Sequence, residues 1–221
     1  MKKRLPSHIF YDYDGTLGDS LPQHIHFLHD MNSRFKTGLE LPPPNDYEAC
    51  KKLIGIPMEV FIKNAGFPEE LIPEILKLYG VFFPRNKRYK ADLFPQIPEV
   101  IATLFDEGFY QSIISSNFSR NWLPSIQKAG LEHIFLYKIG REKLDSCGRS
   151  KGRYMMELSD RLDLSSREFI YVGDTESDYQ AAQQAEVVFV GVSYGWQISP
   201  DDTRFPNAKN PDELFEILVN M

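Results

Sequence analysis

Asp12 and Asp14 are the side chains in this sequence whose types and spacing most directly suggest chemistry. They follow the apolar run at 9–11, and Gly15 comes directly after them. In an extended strand, residues two apart point to the same side, so both carboxylates are expected on one face, where a bound cation would relieve their repulsion. A surface turn is the alternative interpretation, but it accounts for Gly15 and only one of the two acids.

Further polar groups follow apolar segments later in the chain. They are Ser116 and Asn117 after one predicted strand, Lys151 at the start of a predicted helix, and Asp174 and Asp178 after another strand. Open parallel sheets bind ligands beyond the carboxyl ends of their strands, so these groups are expected at the same sheet edge as the first aspartates. Each has an ordinary explanation alone, as a turn, a solvated lysine or a helix cap; their agreement in position indicates a site.

The segments that would position these residues alternate between short strands and helices. Strands are predicted at 7–13, 110–115, 134–139, 169–172 and 187–192, and helices at 98–107, 123–129, 150–162, 176–185 and 210–219. Phe105 is predicted on the buried face of the first of these helices. The strands are apolar and β-branched, which is typical of a parallel sheet covered on both faces. The predicted fold class is therefore α/β, with a doubly wound, Rossmann-like parallel sheet.

The residues between the first two strands have a different pattern. A helix is predicted from Pro22 to Phe35, and after a proline-rich break at 42–45 helices are predicted at 47–54, 58–65 and 69–83, with no convincing strand. We predict an α/β core made of residues 1–20 and 91–221 and an inserted helical domain at 21–90. A basic cluster at 85–90 is interpreted either as a solvated linker or as a hinge that faces an anionic site.

Composition excludes several classes of protein. The chain has 221 residues, 42% of them hydrophobic, which suffices for one core with a small satellite domain. Its net charge of −6 argues against a general nucleic-acid binder. The basic leader at 1–4 is followed by an apolar run too short for a secretion signal or a membrane span. Cys50 and Cys147 are expected as free thiols, so we expect a cytoplasmic protein that binds neither nucleic acid nor membranes.

The polar segments together resemble the four motifs of the haloacid dehalogenase superfamily, most of whose members are magnesium-dependent phosphatases. Residues 12–20 (DYDGTLGDS) resemble motif I, residues 113–117 (IISSN) motif II, Lys151 the motif III lysine and residues 172–178 (VGDTESD) motif IV. The resemblance covers nearly the whole chain. The inserted segment at 21–90 resembles a small C1-type helical cap, as in phosphoglycolate-phosphatase-like members.

This resemblance implies a phosphatase that hydrolyses a small phosphorylated metabolite through an aspartyl-phosphate. Asp12 is then the nucleophile, and Asp14 is the general acid and base. Mg²⁺ is implied as the cofactor, held by the Asp12 carboxylate, the Asp14 main-chain carbonyl and the Asp174 carboxylate. Asp178 supports these ligands from behind.

The same resemblance implies a set of phosphate-binding groups. Ser116, the Asn117 N–H and Lys151 would hold phosphoryl oxygens, and Thr16 would help to fix the first loop. Ser116 is preferred to the adjacent Ser115 because it directly precedes Asn117.

The motif III assignment departs from the family pattern in one respect. Lys151 is followed by Gly152, whereas related phosphatases often have a proline there. Lys143 is the rival, but it lies farther from Asp174 in sequence. Because Ser150 can cap a helix, Lys151 is expected at a helix N-terminus beside the acids.

Other functions fit some of these residues. A phosphomutase uses the same two aspartates, although related hexose phosphomutases tend to carry an acid where Gly173 stands. Dehalogenases and phosphonatases lack the second aspartate, Asp14. A non-catalytic phosphate-binding protein that kept the fold is the alternative from a different class.

Lys51 and Lys52 either reach a substrate or are solvated. The chain is expected to be a monomer or a weak homodimer.

Overall fold

The computed structural model describes residues 8–55, 57–163, 165 and 168–221, so Ser7 of the predicted first strand and the basic leader at 1–4 lie outside the described residues. The chain divides into two compact units. One comprises the residues up to Asp19 together with Leu93–Met221, and the other comprises Ser20–Asp92.

The first unit contains a parallel sheet. In chain order the described strands of the whole chain are β1 (His8–Tyr11), β2 (Gly18–Asp19), β3 (Asp92–Leu93), β4 (Tyr110–Ile114), β5 (Phe135–Ile139), β6 (Phe169–Gly173), β7 (Val188–Val192) and β8 (Asn207–Ala208). Six of them form one sheet in the order β5-β4-β1-β6-β7-β8, and β2 pairs with β3 separately. Neighbouring strands of the large sheet run parallel. This sheet confirms the predicted α/β fold class.

β1 lies at the centre of the sheet, between β4 and β6. The chain adds β4 and β5 on one side of β1 and then crosses over to add β6, β7 and β8 on the other. Tyr11 at the end of β1 is in register with Ile113 of β4 and with Val172 of β6. The carboxyl ends of all three strands therefore meet at one edge, at a switch point of the kind where such sheets bind ligands.

Both faces of β1 are covered. Ile9 and Tyr11 belong to the hydrophobic core on one side of the sheet, and Phe10 belongs to the core on the other. Each of the three is fully buried. Because successive side chains alternate between the faces of a strand, a strand buried on both faces is largely apolar, and the buried His8 of this strand has a polar partner in Ser112.

The second unit is built mainly from helices. They are α1 (Leu21–Phe35), α2 (Tyr47–Lys51), α3 (Met58–Asn64) and α4 (Ile72–Phe82), with 3-10 turns at Glu69–Leu71 and Lys87–Tyr89. Aromatic rings fill its interior, where the buried His24 stacks on Phe83 with ring centroids 4.9 Å apart.

Six helices lie among the described residues of the first unit. They are α5 (Ile97–Asp106), α6 (Ser119–Lys128), α7 (Arg141–Cys147), α8 (Lys151–Leu162), α9 (Glu176–Gln184) and α10 (Pro211–Asn220). Helix α7 was not predicted, because Leu144 is its one buried residue and its apolar periodicity is weak. The prediction for Phe105 was wrong: this side chain is 44% exposed, since Ile101 and Leu104 already occupy the buried face of α5. Within the described residues, every helix is too short or too polar to cross a bilayer.

Candidate active site

Asp12 directly follows β1 at the central switch point. Its N–H donates to the Val172 carbonyl at 2.9 Å, so the pairing with β6 continues for one residue beyond the strand. The residue is 7% exposed. A rigid central strand therefore holds this carboxylate at the edge of the sheet, in a largely dehydrated environment.

The loop after Asp12 turns tightly against Asp174. Gly15 has a φ of +75°, and its N–H donates to the Gly18 carbonyl at 2.9 Å. A Cβ atom at Gly15 would lie 2.0 Å from Asp174 Oδ2, so both space and backbone conformation exclude a side chain there. Thr16 Oγ1 donates to Asp174 Oδ1 at 3.0 Å, which ties the loop to this second acid.

Asp174 receives a further hydrogen bond from a segment that sequence analysis did not identify. The backbone N–H of Trp196 donates to Asp174 Oδ2 at 2.8 Å. The close approach depends on Gly195, where a Cβ atom would lie 2.2 Å from the Gly15 carbonyl oxygen. A main-chain donor leaves no signature in a sequence, so this contact could not be predicted from side-chain types.

Lys151 lies among the buried acids, at the start of α8. Its ammonium donates to Asp12 Oδ1 at 2.9 Å and to Asp178 Oδ1 at 2.7 Å, and the residue is 8% exposed. Ser150 caps the helix, accepting from the Arg153 N–H at 3.2 Å, so the lysine occupies the helix N-terminus as expected. Lys143, the rival assignment, is exposed in α7.

Asp178 is held by contacts to both of its carboxylate oxygens. Oδ1 accepts from Lys151 and from the Tyr171 hydroxyl, the latter at 2.8 Å. Oδ2 accepts from the Thr175 hydroxyl at 2.5 Å and from the Thr175 N–H at 3.2 Å, forming a capping box at the start of α9. Neither Tyr171 nor Thr175 was identified from sequence. The T-x-x-D spacing of the capping box could have identified Thr175 from sequence.

Asp14 is half-buried and contacts the loop after β4. Asn117 Nδ2 donates to Asp14 Oδ2 at 2.9 Å, and Asn121 Nδ2 donates to Asn117 Oδ1 at 2.6 Å. The Asn117 N–H, expected at the phosphate, donates here to Ser115 Oγ at 3.1 Å. Ser116 is exposed in the same loop, and Ser115 is buried beneath it.

The buried acids form a candidate metal centre. One carboxylate oxygen from each of Asp12, Asp174 and Asp178 lies within 4.8 Å of the other two. Three carboxylates beside the single ammonium of Lys151 leave two formal negative charges in excess. An all-oxygen donor set with this charge suits a hard divalent cation. Each Asp178 oxygen accepts two hydrogen bonds, whereas each Asp174 oxygen accepts one, so Asp12 and Asp174 are better placed as direct ligands, with Asp178 behind them.

The electrostatics agree with that excess of negative charge. Burial raises the pKa of Asp12 to about 7; Lys151 opposes this rise, while Asp178 and Asp14 add to it. Burial, followed by repulsion from Asp178 and Asp12, raises the pKa of Asp174 well above its ordinary value. Burial also acts on Asp178, but the charge and hydrogen bond of Lys151 outweigh it and lower its pKa. The site therefore resists full ionisation without a further cation.

The two lysines singled out in the second unit have local contacts. The Lys51 ammonium lies 3.6 Å from Glu48 Oε1 and 5.2 Å from the centre of the Tyr47 ring. Lys52 is exposed. The observed partners of Lys51 therefore lie in its own helix, α2.

Comparison with known proteins identifies the family to which the chain belongs. A protein-family model described as haloacid dehalogenase-like hydrolase matches residues 9–192. The chain is similar to phosphoglycolate phosphatases from Haemophilus influenzae (24% identical, covering 94% of this chain and 93% of the relative) and Synechococcus elongatus (27% identical, covering 94% and 92%). A crystal structure of a predicted phosphatase from Clostridium acetobutylicum has the same fold, with a TM-score of 0.77, 21% identity and coverage of 98% and 100%.

The family match spans most of the chain, including the segments that resemble motifs I, II, III and IV. The predicted resemblance and the predicted enzyme class are thereby confirmed. The chain belongs to the haloacid dehalogenase-like hydrolase family.

Proposed function

We propose that this hydrolase is a Mg²⁺-dependent phosphomonoesterase that works through an aspartyl-phosphate on Asp12. The observation that carries the proposal is the contact of the Lys151 ammonium with Asp12, 2.9 Å apart, beside the two further buried acids Asp174 and Asp178. A carboxylate, a fixed ammonium and a cation site at one sheet edge are what an acidic nucleophile needs to approach a phosphate dianion.

Asp12 is the proposed nucleophile. Its position at the end of the central strand fixes the carboxylate, and Lys151 holds Oδ1 through a charge-assisted hydrogen bond. One carboxylate oxygen would form the bond to phosphorus as the bond from phosphorus to the leaving oxygen breaks. The low exposure of Asp12 limits the water that competes at this stage.

Asp14 is the proposed acid and base. It would donate a proton to the leaving oxygen and later remove a proton from the water that attacks the aspartyl-phosphate. The amide of Asn117 fixes one of its oxygens at 2.9 Å. Asp14 is also more exposed than Asp12, which suits a group that exchanges protons with a substrate and with water.

The proposed metal ligands are the Asp12 and Asp174 carboxylates and the Asp14 main-chain carbonyl, with Asp178 supporting them. When bound, Mg²⁺ supplies positive charge that reduces the repulsion between the carboxylate and the phosphate dianion. Thr16 and the Trp196 N–H orient Asp174 for this role.

Ser116, the Asn117 N–H and Lys151 are the proposed phosphoryl-binding groups. Ser116 supports this role by its exposure at the end of β4. The Asn117 N–H would have to exchange its bond to Ser115 Oγ for one to the substrate. Lys151 would balance charge on the phosphoryl group from its place next to Asp12, and a hydrogen bond to a phosphoryl oxygen would have to replace one of the three that its ammonium makes.

The proposed substrate is a small phosphorylated metabolite. Phosphoglycolate is the first compound to test, because curated relatives that align with nearly the whole chain bear the name phosphoglycolate phosphatase. The mainly helical segment Ser20–Asp92, which contains the predicted bounds 21–90, is the proposed C1-type cap, and we propose that it selects the substrate. We also propose a cytoplasmic location and a monomer or weak homodimer.

Gly173 favours hydrolysis over the phosphomutase alternative. A Cβ atom at this position would lie 2.4 Å from the Asp178 Cβ, so the acid found there in related hexose phosphomutases would collide with the network.

The test of the function is release of inorganic phosphate from phosphoglycolate and from p-nitrophenyl phosphate. We expect Mg²⁺-dependent release by the wild-type protein and none above background by Asp12→Asn. Binding of phosphate without turnover would instead favour a non-catalytic phosphate-binding protein.

A further inference from the structure

Tyr171 is a buried polar side chain in the acid network that sequence motifs do not identify. Its hydroxyl accepts from the Lys151 ammonium at 3.0 Å and donates to Asp178 Oδ1 at 2.8 Å. The residue is completely buried in the central strand β6, and its ring belongs to the hydrophobic core on that side of the sheet. The hydroxyl is therefore placed by a rigid part of the fold.

The ammonium of Lys151 has three N–H donors, and each has a partner. They are Asp12 Oδ1, Asp178 Oδ1 and the Tyr171 hydroxyl. Two partners leave an ammonium on a flexible four-carbon chain free to tilt, whereas three partners define its position. The phenol also links two of the groups directly, since it donates to the same Asp178 oxygen that Lys151 contacts.

We propose that Tyr171 is a positioning residue for the phosphoryl-transfer step, holding the Lys151 ammonium at the distance from Asp12 that the transition state requires. This inference rests on the proposed phosphatase function. A charged donor stabilises a transition state only if it is held where charge develops, and a small displacement lowers the rate while substrate binding changes little. The alternative is that the hydroxyl only satisfies buried polar atoms and contributes stability.

Tyr171→Phe is the test variant, because it removes the hydroxyl and keeps the ring. Tyr11→Phe is the matched control: Tyr11 is also completely buried in a central strand, and its hydroxyl donates to Gln111 Oε1 at 3.0 Å, outside the acid network. We expect Tyr171→Phe to lower kcat for p-nitrophenyl phosphate about 10- to 100-fold with little change in KM. Tyr11→Phe should retain wild-type kcat.

Two further readouts separate positioning from stability. Orthovanadate resembles the transition state of phosphoryl transfer, so Tyr171→Phe should weaken its inhibition constant about tenfold or more, with inorganic phosphate inhibition nearly unchanged. Inhibition constants do not depend on the fraction of folded enzyme. In a Lys151→Ala background, Tyr171→Phe should cause no further loss of kcat, because its effect passes through Lys151.

The outcomes distinguish this inference from the function on which it rests. A wild-type protein that hydrolyses no phosphate ester overturns the function and the role of Tyr171 together. An active wild type overturns the role of Tyr171 alone in either of two cases. In the first, Tyr171→Phe matches Tyr11→Phe in kcat and in the ratio of the two inhibition constants. In the second, the loss from Tyr171→Phe is the same with and without Lys151.

Discussion

The Lys151 ammonium lies 2.9 Å from Asp12 Oδ1, although the two residues are far apart in sequence. Lys151 therefore neutralises part of the charge on the proposed nucleophile and would lie next to a phosphoryl group bound to it. Lys143, the other lysine considered from sequence, is exposed in α7.

Lys151→Ala is expected to lower turnover by about two orders of magnitude or more, the range for losing one charge-stabilising donor. Lys143→Ala should remain near wild type. The measurement is kcat for p-nitrophenyl phosphate at saturating Mg²⁺. Equal losses in the two variants would contradict the assignment of the motif III lysine.

Asp14→Asn is expected to slow release of the intermediate more than its formation, because the base that activates water is lost. An acid quench during turnover should reveal covalent phosphate on this variant at a higher level than on wild type. Asp12→Asn is the control and should carry no covalent phosphate. If Asp14→Asn carries no covalent phosphate and turns over at the wild-type rate, the proposed role of Asp14 is contradicted.

Gly195→Ala should reduce both stability and activity, because its Cβ would lie 2.2 Å from the Gly15 carbonyl oxygen and the Asp12–Gly15 loop would have to move. Crowding of this kind costs about 1–3 kcal/mol. Gly80→Ala in α4 is the control: apart from its chain neighbours and its own helix backbone, no described atom lies within 4 Å of its added Cβ, and a helical glycine replaced by alanine should gain about 0.5–1 kcal/mol. Urea denaturation should show a lower free energy of unfolding for Gly195→Ala than for wild type and a higher one for Gly80→Ala.

His8 predicts a pH dependence of stability. Burial lowers its pKa to about 4, and its Nε2 lies 2.8 Å from Ser112 Oγ. Between about pH 6.5 and this value the unfolded chain binds a proton that the folded state does not, so the free energy of unfolding should fall as the pH falls. The full effect is at most about 3 kcal/mol. The difference in the free energy of unfolding between wild type and His8→Phe should therefore change between pH 8 and pH 5. A difference that stays constant over this range would contradict the predicted contribution of His8.

The fold and the acidic residues of the site were accessible from sequence because each carries a local pattern. Asp12 and Asp14 stand at the end of an apolar run, and Asp174 and Asp178 follow another. Lys151 follows a capping serine. In every case the side-chain type itself would perform the proposed chemistry, so residue identity and strand position were enough to propose it.

The remaining contacts depend on three-dimensional placement. Tyr171 sits within the run Phe169–Gly173, where an aromatic residue is indistinguishable in sequence from ordinary core packing. Trp196 contributes a backbone N–H, which any residue but proline could supply. The amide of Asn117 reaches Asp14 through a loop conformation that no spacing rule specifies.

Phosphate release from p-nitrophenyl phosphate by wild type and Asp12→Asn, each with Mg²⁺ and with excess chelator, tests the central claim most directly. We expect release by the wild type with Mg²⁺ and background rates in the other three reactions. Wild-type turnover by Asp12→Asn would contradict the nucleophile, and full wild-type activity in excess chelator would contradict the metal.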